Sequence, residues 1–373
     1  MTYQTSGGAA ARRRARDLGI PFDGVPGPVN AITDVAGVAV GFTTLISGEG
    51  GLEVGTGPVR TGVSAILPRG ASGDPVFGGW YALNGNGEMT GTTWVEESGF
   101  VEGPIMITNT HSVGIVRDAV VEWLSRRQPL EKGNLGWLLP VVAETWDGFL
   151  NDANGHHVTK EHAFAALDRA QSGPVAEGNV GGGTGMMLHQ FKGGTGTASR
   201  RLAVGAGHYT LGVLVQANYG AREELTIAGV PVGRAFPDLM PGPERYEPGG
   251  SCIVVVATDA PLLPHQLKRL ARRAPLGIGR TGGIGAHSSG DIFIAFSTAN
   301  PGAWGGSAIA PLEMLPNELI NPLLRATVEA TEEAVINALI AAETMTGRDG
   351  HTAHAIPHDR LHDALRRHGR LIE

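Results

Sequence analysis

One cysteine, Cys252, stands in 373 residues, so no disulfide can form within the chain, and a reducing, cytoplasmic setting is expected. Charge is also scarce. Charged residues make up 17% of the chain and the formal net charge is −7, which leaves no broad cationic field for nucleic acid. The one basic run near the start, Arg12-Arg13-Arg14-Ala15-Arg16, reads as a solvated arm, as does the Arg- and His-rich stretch from His358 to Arg370. No apolar run approaches the roughly 18 residues that a spanning helix needs, so no membrane partner is expected. Residues 17–40 hold Asp, Pro and Gly where a secretory signal would be apolar.

Glycine, in contrast, is abundant. Its 57 residues are roughly twice the usual share, and they cluster between apolar runs, where backbone has to come close to something. With 42% hydrophobic residues the chain can bury a large core, and a single domain is expected over 1–373. Short strand-like runs fall at Val38–Phe42, Val59–Leu67, Pro104–Thr108, Leu138–Val142, Arg201–Val204, Leu211–Gln216, Ser251–Thr258 and Asp291–Ser297. Helical spacing appears at Val113–Arg127, Lys160–Gln171, His265–Arg273 and Asn317–Met345. Such alternation without a repeat predicts an α/β or layered α+β fold.

Gly249-Gly250-Ser251-Cys252, running straight into Ile253-Val254-Val255-Val256-Ala257, carries the most chemical information. The plain reading is a Gly-Gly turn entering a core strand. The chemical reading is sharper. If the peptide bond before Ser251 is cut, the serine becomes an N-terminus whose own amine can activate its hydroxyl. Residues 237–250 are polar and broken by prolines, the composition of an exposed loop that could move away after such a cut.

Other residues could complete that chemistry or merely cap turns. Asn218, after a strand, can donate its amide to an oxyanion, and Glu144 and Asp147 can hold a substrate ammonium. Ser289 and Asp291 share a strand face and can orient an amine and relay a proton. Three rival motifs compete. Thr110-His111-Ser112-Val113-Gly114 imitates a hydrolase nucleophile elbow around Ser112, although its first glycine is a threonine. Gly277-Ile278-Gly279-Arg280-Thr281-Gly282 matches a dinucleotide fingerprint but follows a basic helical segment instead of a strand. His157 to His162 misses an inverted zinc motif by one residue, so no metal and no cofactor are expected. Gly181-Gly182-Gly183-Thr184-Gly185 can wall a pocket or nest an anion, or serve as a tight connection.

Taken in order, Asn84 to Gly91, Asn109 to Gly114, Glu177 to Met186, Gly250-Ser251, Ala257 to Leu262 and Glu343 to Gly350 resemble the L-aminopeptidase/D-amidase/D-esterase family, which includes β-peptidyl aminopeptidases. The likeness runs from about residue 17 to residue 357. It implies an αββα sandwich, self-cleavage into an α chain 1–250 and a β chain 251–373, and a homotetramer of αβ units. It further implies Ser251 as nucleophile with its new amine as base, Asn218 as oxyanion donor, Ser289 and Asp291 as the supporting pair, and Glu144 as the acid that grips the substrate's amine. Trp146 stands where some relatives carry Tyr, which bears on the shape of the substrate pocket.

Overall fold

A continuous run of β-branched residues, Ile253 to Val256, gives a strand buried on both faces, and the other layers are arranged around it. The computed structural model describes residues 12–127, 137–243, 250–305 and 309–372. Its strands and helices, in chain order, are β1 (Ala39–Ser47), β2 (Val59–Leu67), β3 (Val76–Ala82), α1 (Thr92–Ser98), β4 (Phe100–Val101), β5 (Ile105–Asn109), α2 (Val113–Arg127), β6 (Val141–Thr145) and α3 (Lys160–Asp168). There follow β7 (Met187–Leu188), β8 (Phe191–Lys192), β9 (Gly194–Val204), β10 (Gly207–Tyr219), β11 (Gly250–Thr258), α4 (Pro264–Ala271), α5 (Ala274–Arg280), β12 (Ser289–Ser297), α6 (Asn321–Ile340) and, after a short hairpin, α7 (His358–Arg367).

One sheet has the order β1-β2-β5-β6, and a larger one has the order β4-β3-β12-β11-β10-β9. Parallel pairing occurs at β5–β6 and at β11–β12, with the remaining neighbours antiparallel. Three apolar cores separate four layers. Ile66, Ile107 and Val141 of the smaller sheet meet Leu214, Val255 and Ile294 of the larger one. Val116 and Val120 of α2 and Ala163 of α3 cover the outer face of the smaller sheet. Leu267 of α4, Ile278 of α5 and Ala334 of α6 cover the outer face of the larger. The expected αββα sandwich is therefore observed.

Several local expectations are corrected. The basic run is not a solvated arm: Arg14 pairs with Glu177 at 2.7 Å and Arg16 with Glu333 at 2.7 Å, because two carboxylates at most 7% exposed need cations. The C-terminal stretch is not free either, since α7 buries Leu361, Ala364 and Leu365 on one face. The strand expected over Leu138–Val142 starts at Val141 and runs on to Thr145. Val76–Ala82 is a strand that the sequence reading missed. Arg200, itself fully buried, adds a 2.8 Å bond to Glu333. Burial alone would raise the Glu333 carboxyl, yet bonds from Arg16 and Asn30 and the charges of Arg200 and Arg16 hold it below its usual range. That contribution is in place at neutral pH and disappears as acid takes the pH down through the depressed value. Glu333→Gln is expected to cost about 3 kcal/mol of unfolding free energy, read by chemical denaturation, because it leaves the buried Arg200 only the more distant Glu329 carboxylate, 3.8 Å away.

Candidate active site

Ser251 is the second residue of β11, flanked by β10 on one side and β12 on the other. Its register partners are Asn218 and Gly290. Because neighbours in register share a face, Ser251 and Asn218 point between the two sheets. The Ser251 side chain is buried and its hydroxyl has no hydrogen-bond partner among the described residues, a cost that a structural serine would avoid. Gly290 carries no side chain to crowd it.

Gly250 precedes Ser251 with φ +154, and a Cβ there would be driven into the Asn218 carbonyl oxygen. Only glycine fits that backbone. The Pro-rich loop before it is described as far as residue 243; residues 244–249 lie outside the described residues.

Asn218 falls inside β10, which extends three residues past the strand end expected from the sequence. Its carboxamide is held at both ends. Oδ1 accepts from the Met187 backbone N–H at 2.8 Å, while Nδ2 donates one hydrogen to the Trp146 carbonyl at 2.9 Å. The second amide hydrogen is left for another acceptor.

Ser289 and Asp291 pair in register with Gly250 and Cys252, so they occupy the helix-facing side of the sheet, opposite the Ser251 side chain. They flank the backbone of residue 251 and not its hydroxyl. Ser289 Oγ donates to Asp291 Oδ1 at 2.8 Å. Asn84 supports the same carboxylate, donating from Nδ2 to Oδ2 at 3.2 Å and accepting the Asp291 backbone N–H at 2.7 Å. Burial raises the Asp291 carboxyl, and bonds from Ser289, Asn84 and the Cys252 backbone draw it back down. A cavity of about 220 Å³ opens against the pair, walled by Tyr219, Ala221, Ile278 and Gly285.

Glu144 lies within β6 and is not in a loop after it. Its Oε1 accepts the Glu88 backbone N–H at 3.0 Å and its Oε2 accepts the Thr110 hydroxyl. Desolvation by burial raises this carboxyl above the usual glutamate value, more than those two bonds lower it. Trp146, 46% exposed, packs its indole T-shaped against the His111 ring, the ring centres 5.2 Å apart. Asp147 is turned inward instead, wholly buried and bonded by Asn151 at 3.1 Å, and burial pushes it up to about 6. The loop 84–91 ties these parts together, because Asn84 reaches Asp291 while Glu88 reaches Glu144.

The rival motifs do not assemble sites. Thr110–Ser112 is a short 3-10 turn whose Ser112 is buried, and its Thr110 serves Glu144. Gly277 to Arg280 ends helix α5, where a dinucleotide fingerprint would need a strand-to-helix turn. His162 caps the first turn of α3 by accepting the Thr159 backbone N–H at 3.0 Å. Gly181 and Gly182 donate to Thr44 and Ser64 of the smaller sheet, so these amides are used internally as a tight connection. Among the described residues no group of His, Cys, Asp and Glu side chains could hold a metal ion, and no helix is long and apolar enough to cross a membrane. Sequence reasoning did not single out Asn84, Thr110 or Met187 as site residues. Asn84 and Thr110 were visible only as members of glycine-rich or family-like blocks, and Met187 contributes through its backbone, for which no side-chain signal exists.

Residues 30–353 match peptidase family S58. The chain is 56% identical to the β-peptidyl aminopeptidase BapA of Sphingosinicella microcystinivorans, over 96% of this chain and 93% of that protein. Among solved structures it is similar to the L-aminopeptidase D-Ala-esterase/amidase of Ochrobactrum anthropi, described as a serine aminopeptidase with a variant of the Ntn hydrolase fold. The identity is 52% and the TM-score 0.91, over 96% of this chain and 99% of that one. A β-aminopeptidase of Burkholderia sp. matches at 49% identity and a TM-score of 0.86, over 95% of this chain and 99% of that one.

Proposed function

The chain belongs to peptidase family S58, and from that membership we propose a serine aminopeptidase and amidase that cuts itself between Gly250 and Ser251 and then works from the new terminus. The observation that carries this reading is the buried Ser251 hydroxyl, unpartnered among the described residues and in register with Asn218, directly after a glycine that no other residue can replace.

In the uncut chain the Ser251 hydroxyl adds to the Gly250 carbonyl, the amide bond breaks, and the nitrogen stays on residue 251 as an amine. Water then hydrolyses the resulting ester. Two chains, 1–250 and 251–373, leave a serine carrying both hydroxyl and amine. During turnover the amine takes the hydroxyl proton as Oγ attacks the substrate carbonyl, and the second amide hydrogen of Asn218 meets the oxyanion. The resulting ammonium gives its proton to the leaving amine or alcohol. Water attacks the acyl ester by the same route in reverse. Ser289 and Asp291, flanking residue 251 from the helix side, orient that amine and share its proton.

Glu144 holds the substrate's free ammonium, which limits cleavage to the first residue of short peptides, aminoacyl amides and esters. Trp146 and His111 wall the pocket beside it. The enzyme works in the cytoplasm, its α and β chains together forming one domain, assembled as a tetramer of αβ units, without metal or cofactor.

On a denaturing gel the purified chain is expected to run as two bands, with Edman degradation of the lighter one beginning Ser-Cys-Ile-Val. An intact chain that still hydrolyses aminoacyl amides would overturn the proposal. Ser112→Ala is expected to be cut and active in the same assay.

A further inference from the structure

Lys192 is wholly buried, and among the described residues no carboxylate pairs with it. Its ammonium is surrounded by backbone carbonyls instead. Nζ donates to Met186 at 2.8 Å and to Gly193 at 2.9 Å, with Gly183 at 3.5 Å. Burial pushes the group down to about 7, and the Arg12 guanidinium, the charged group that acts on it, pushes the same way. An unpaired cation in the interior is expensive, so its presence calls for a use.

The use follows from what lies on the far side of the Met186 carbonyl. That carbonyl and the Met187 N–H belong to one peptide unit, and the Met187 N–H is the donor to Asn218 Oδ1 at 2.8 Å. A continuous chain results: Lys192 ammonium, Met186–Met187 peptide, Asn218 carboxamide. Each hydrogen bond polarises the next, and the effect is larger in a low-dielectric interior than in water.

We propose that Lys192 is a positioning residue for catalysis, which through the Met186–Met187 peptide aims and polarises the Asn218 carboxamide and makes its remaining amide hydrogen a stronger donor to the oxyanion. This rests on the reading of Asn218 as oxyanion donor. The Met186 carbonyl also accepts the Gly193 N–H at 3.0 Å, so the turn keeps a backbone tie without the lysine. What Lys192 adds is a second donor to that carbonyl, fully charged only while the group is protonated, and Lys192→Met removes that donor at nearly constant length.

The test is a double-mutant cycle with Lys192→Met and Asn218→Ala, using an L-alanyl or β-alanyl p-nitroanilide, whichever the wild type cleaves faster, with rates normalised to the cut chain. Asn218→Ala is expected to lower kcat by about 10² to 10³. Lys192→Met should lower kcat by about tenfold to a hundredfold with KM unchanged within about twofold, since it acts only where oxyanion charge develops. On the Asn218→Ala background the same substitution should change kcat by less than about twofold. An undiminished effect on that background, or a rise in KM at constant kcat, means a structural role and overturns the proposal. A fall in kcat on Asn218→Ala with none on Lys192→Met overturns the lysine's role alone. No fall on Asn218→Ala overturns the oxyanion reading itself. Should Lys192→Met not fold, Lys192→Gln replaces it, with the same expectation at reduced size.

Discussion

Ser251→Ala is expected to leave a single 373-residue species on a denaturing gel, with aminopeptidase activity at least about 10⁵-fold below wild type. The size of the effect follows from the double use of one atom. Without Oγ there is no group to attack the Gly250 carbonyl, so the amine that would serve as base is never released. The acyl-enzyme cannot form either. The substitution removes a buried hydroxyl with no hydrogen-bond partner among the described residues, so the fold should be unaffected or slightly more stable. Thermal unfolding of the variant against wild type checks that point. Ser251→Thr separates the chemistry from mere size, since threonine keeps both hydroxyl and potential amine. It is expected to be cut slowly and to retain part of the activity. A Ser251→Ala chain that is still cut at the same bond would end the account, because another group would then be the nucleophile.

Much of this architecture was legible in advance where packing and pattern agree. β11 reads as a strand because Ile253, Val254, Val255 and Val256 are buried on both faces. Helix α6 reads from its apolar spacing, although it starts at Asn321, after a short 3-10 turn, and stops at Ile340, so both ends of the expected span are shortened. β9 shows the opposite case. Its first half is Gly-Thr-Gly-Thr-Ala-Ser, whose glycines weaken the strand that its threonines favour, and it is a strand because α6 lies directly on it: a Cβ at Gly196 would be driven into the Ala334 carbonyl. Tertiary contact overrode propensity there. Glu144 and Asn218 were placed just beyond strands for a related reason. Polar residues normally end a buried strand, but here they continue it into a polar pocket between the sheets, where Gln216 bonds to Thr108 and Thr145.

The site itself was legible as a set of residue types and not as a geometry. Spacing put Ser289 and Asp291 on one face, and the hydrogen bond between them is present. Spacing within one strand could not say that this face is opposite the Ser251 side chain, since that depends on the parallel register of β11 with β12. That register changes the chemistry assigned to the pair. A serine and carboxylate behind the strand can serve the nitrogen of residue 251, whereas a pair beside the hydroxyl would serve as its base. The basic run at Arg12–Arg16 was misread because its partners, Glu177 and Glu333, are more than 150 residues away in sequence. No local pattern carries that information.

Glu144→Gln is expected to lower kcat/KM for substrates with a free amine by about a hundredfold or more, because it removes the charge that offsets a desolvated ammonium. Glutamine keeps the shape: its oxygen can still accept the Glu88 N–H, and its amide nitrogen can donate to the Thr110 hydroxyl oxygen with that bond reversed, so the loop 84–91 should hold its place. The loss should concentrate on the amine. The wild type's preference for a free over an N-acetylated substrate should shrink by the same factor, and an unchanged preference would remove Glu144 from substrate recognition. The pH profile supplies an independent check. Burial raises the Glu144 carboxyl, so it holds its proton to a higher pH than an ordinary glutamate, and ammonium binding weakens as pH falls through that raised value. The amine of Ser251 must also be unprotonated to act as base, near the usual α-amino range of about 7.7–8.0. Two groups that must both lose a proton give log kcat/KM a slope that steepens toward two at low pH. In Glu144→Gln only the amine remains, and the slope should stay at one throughout.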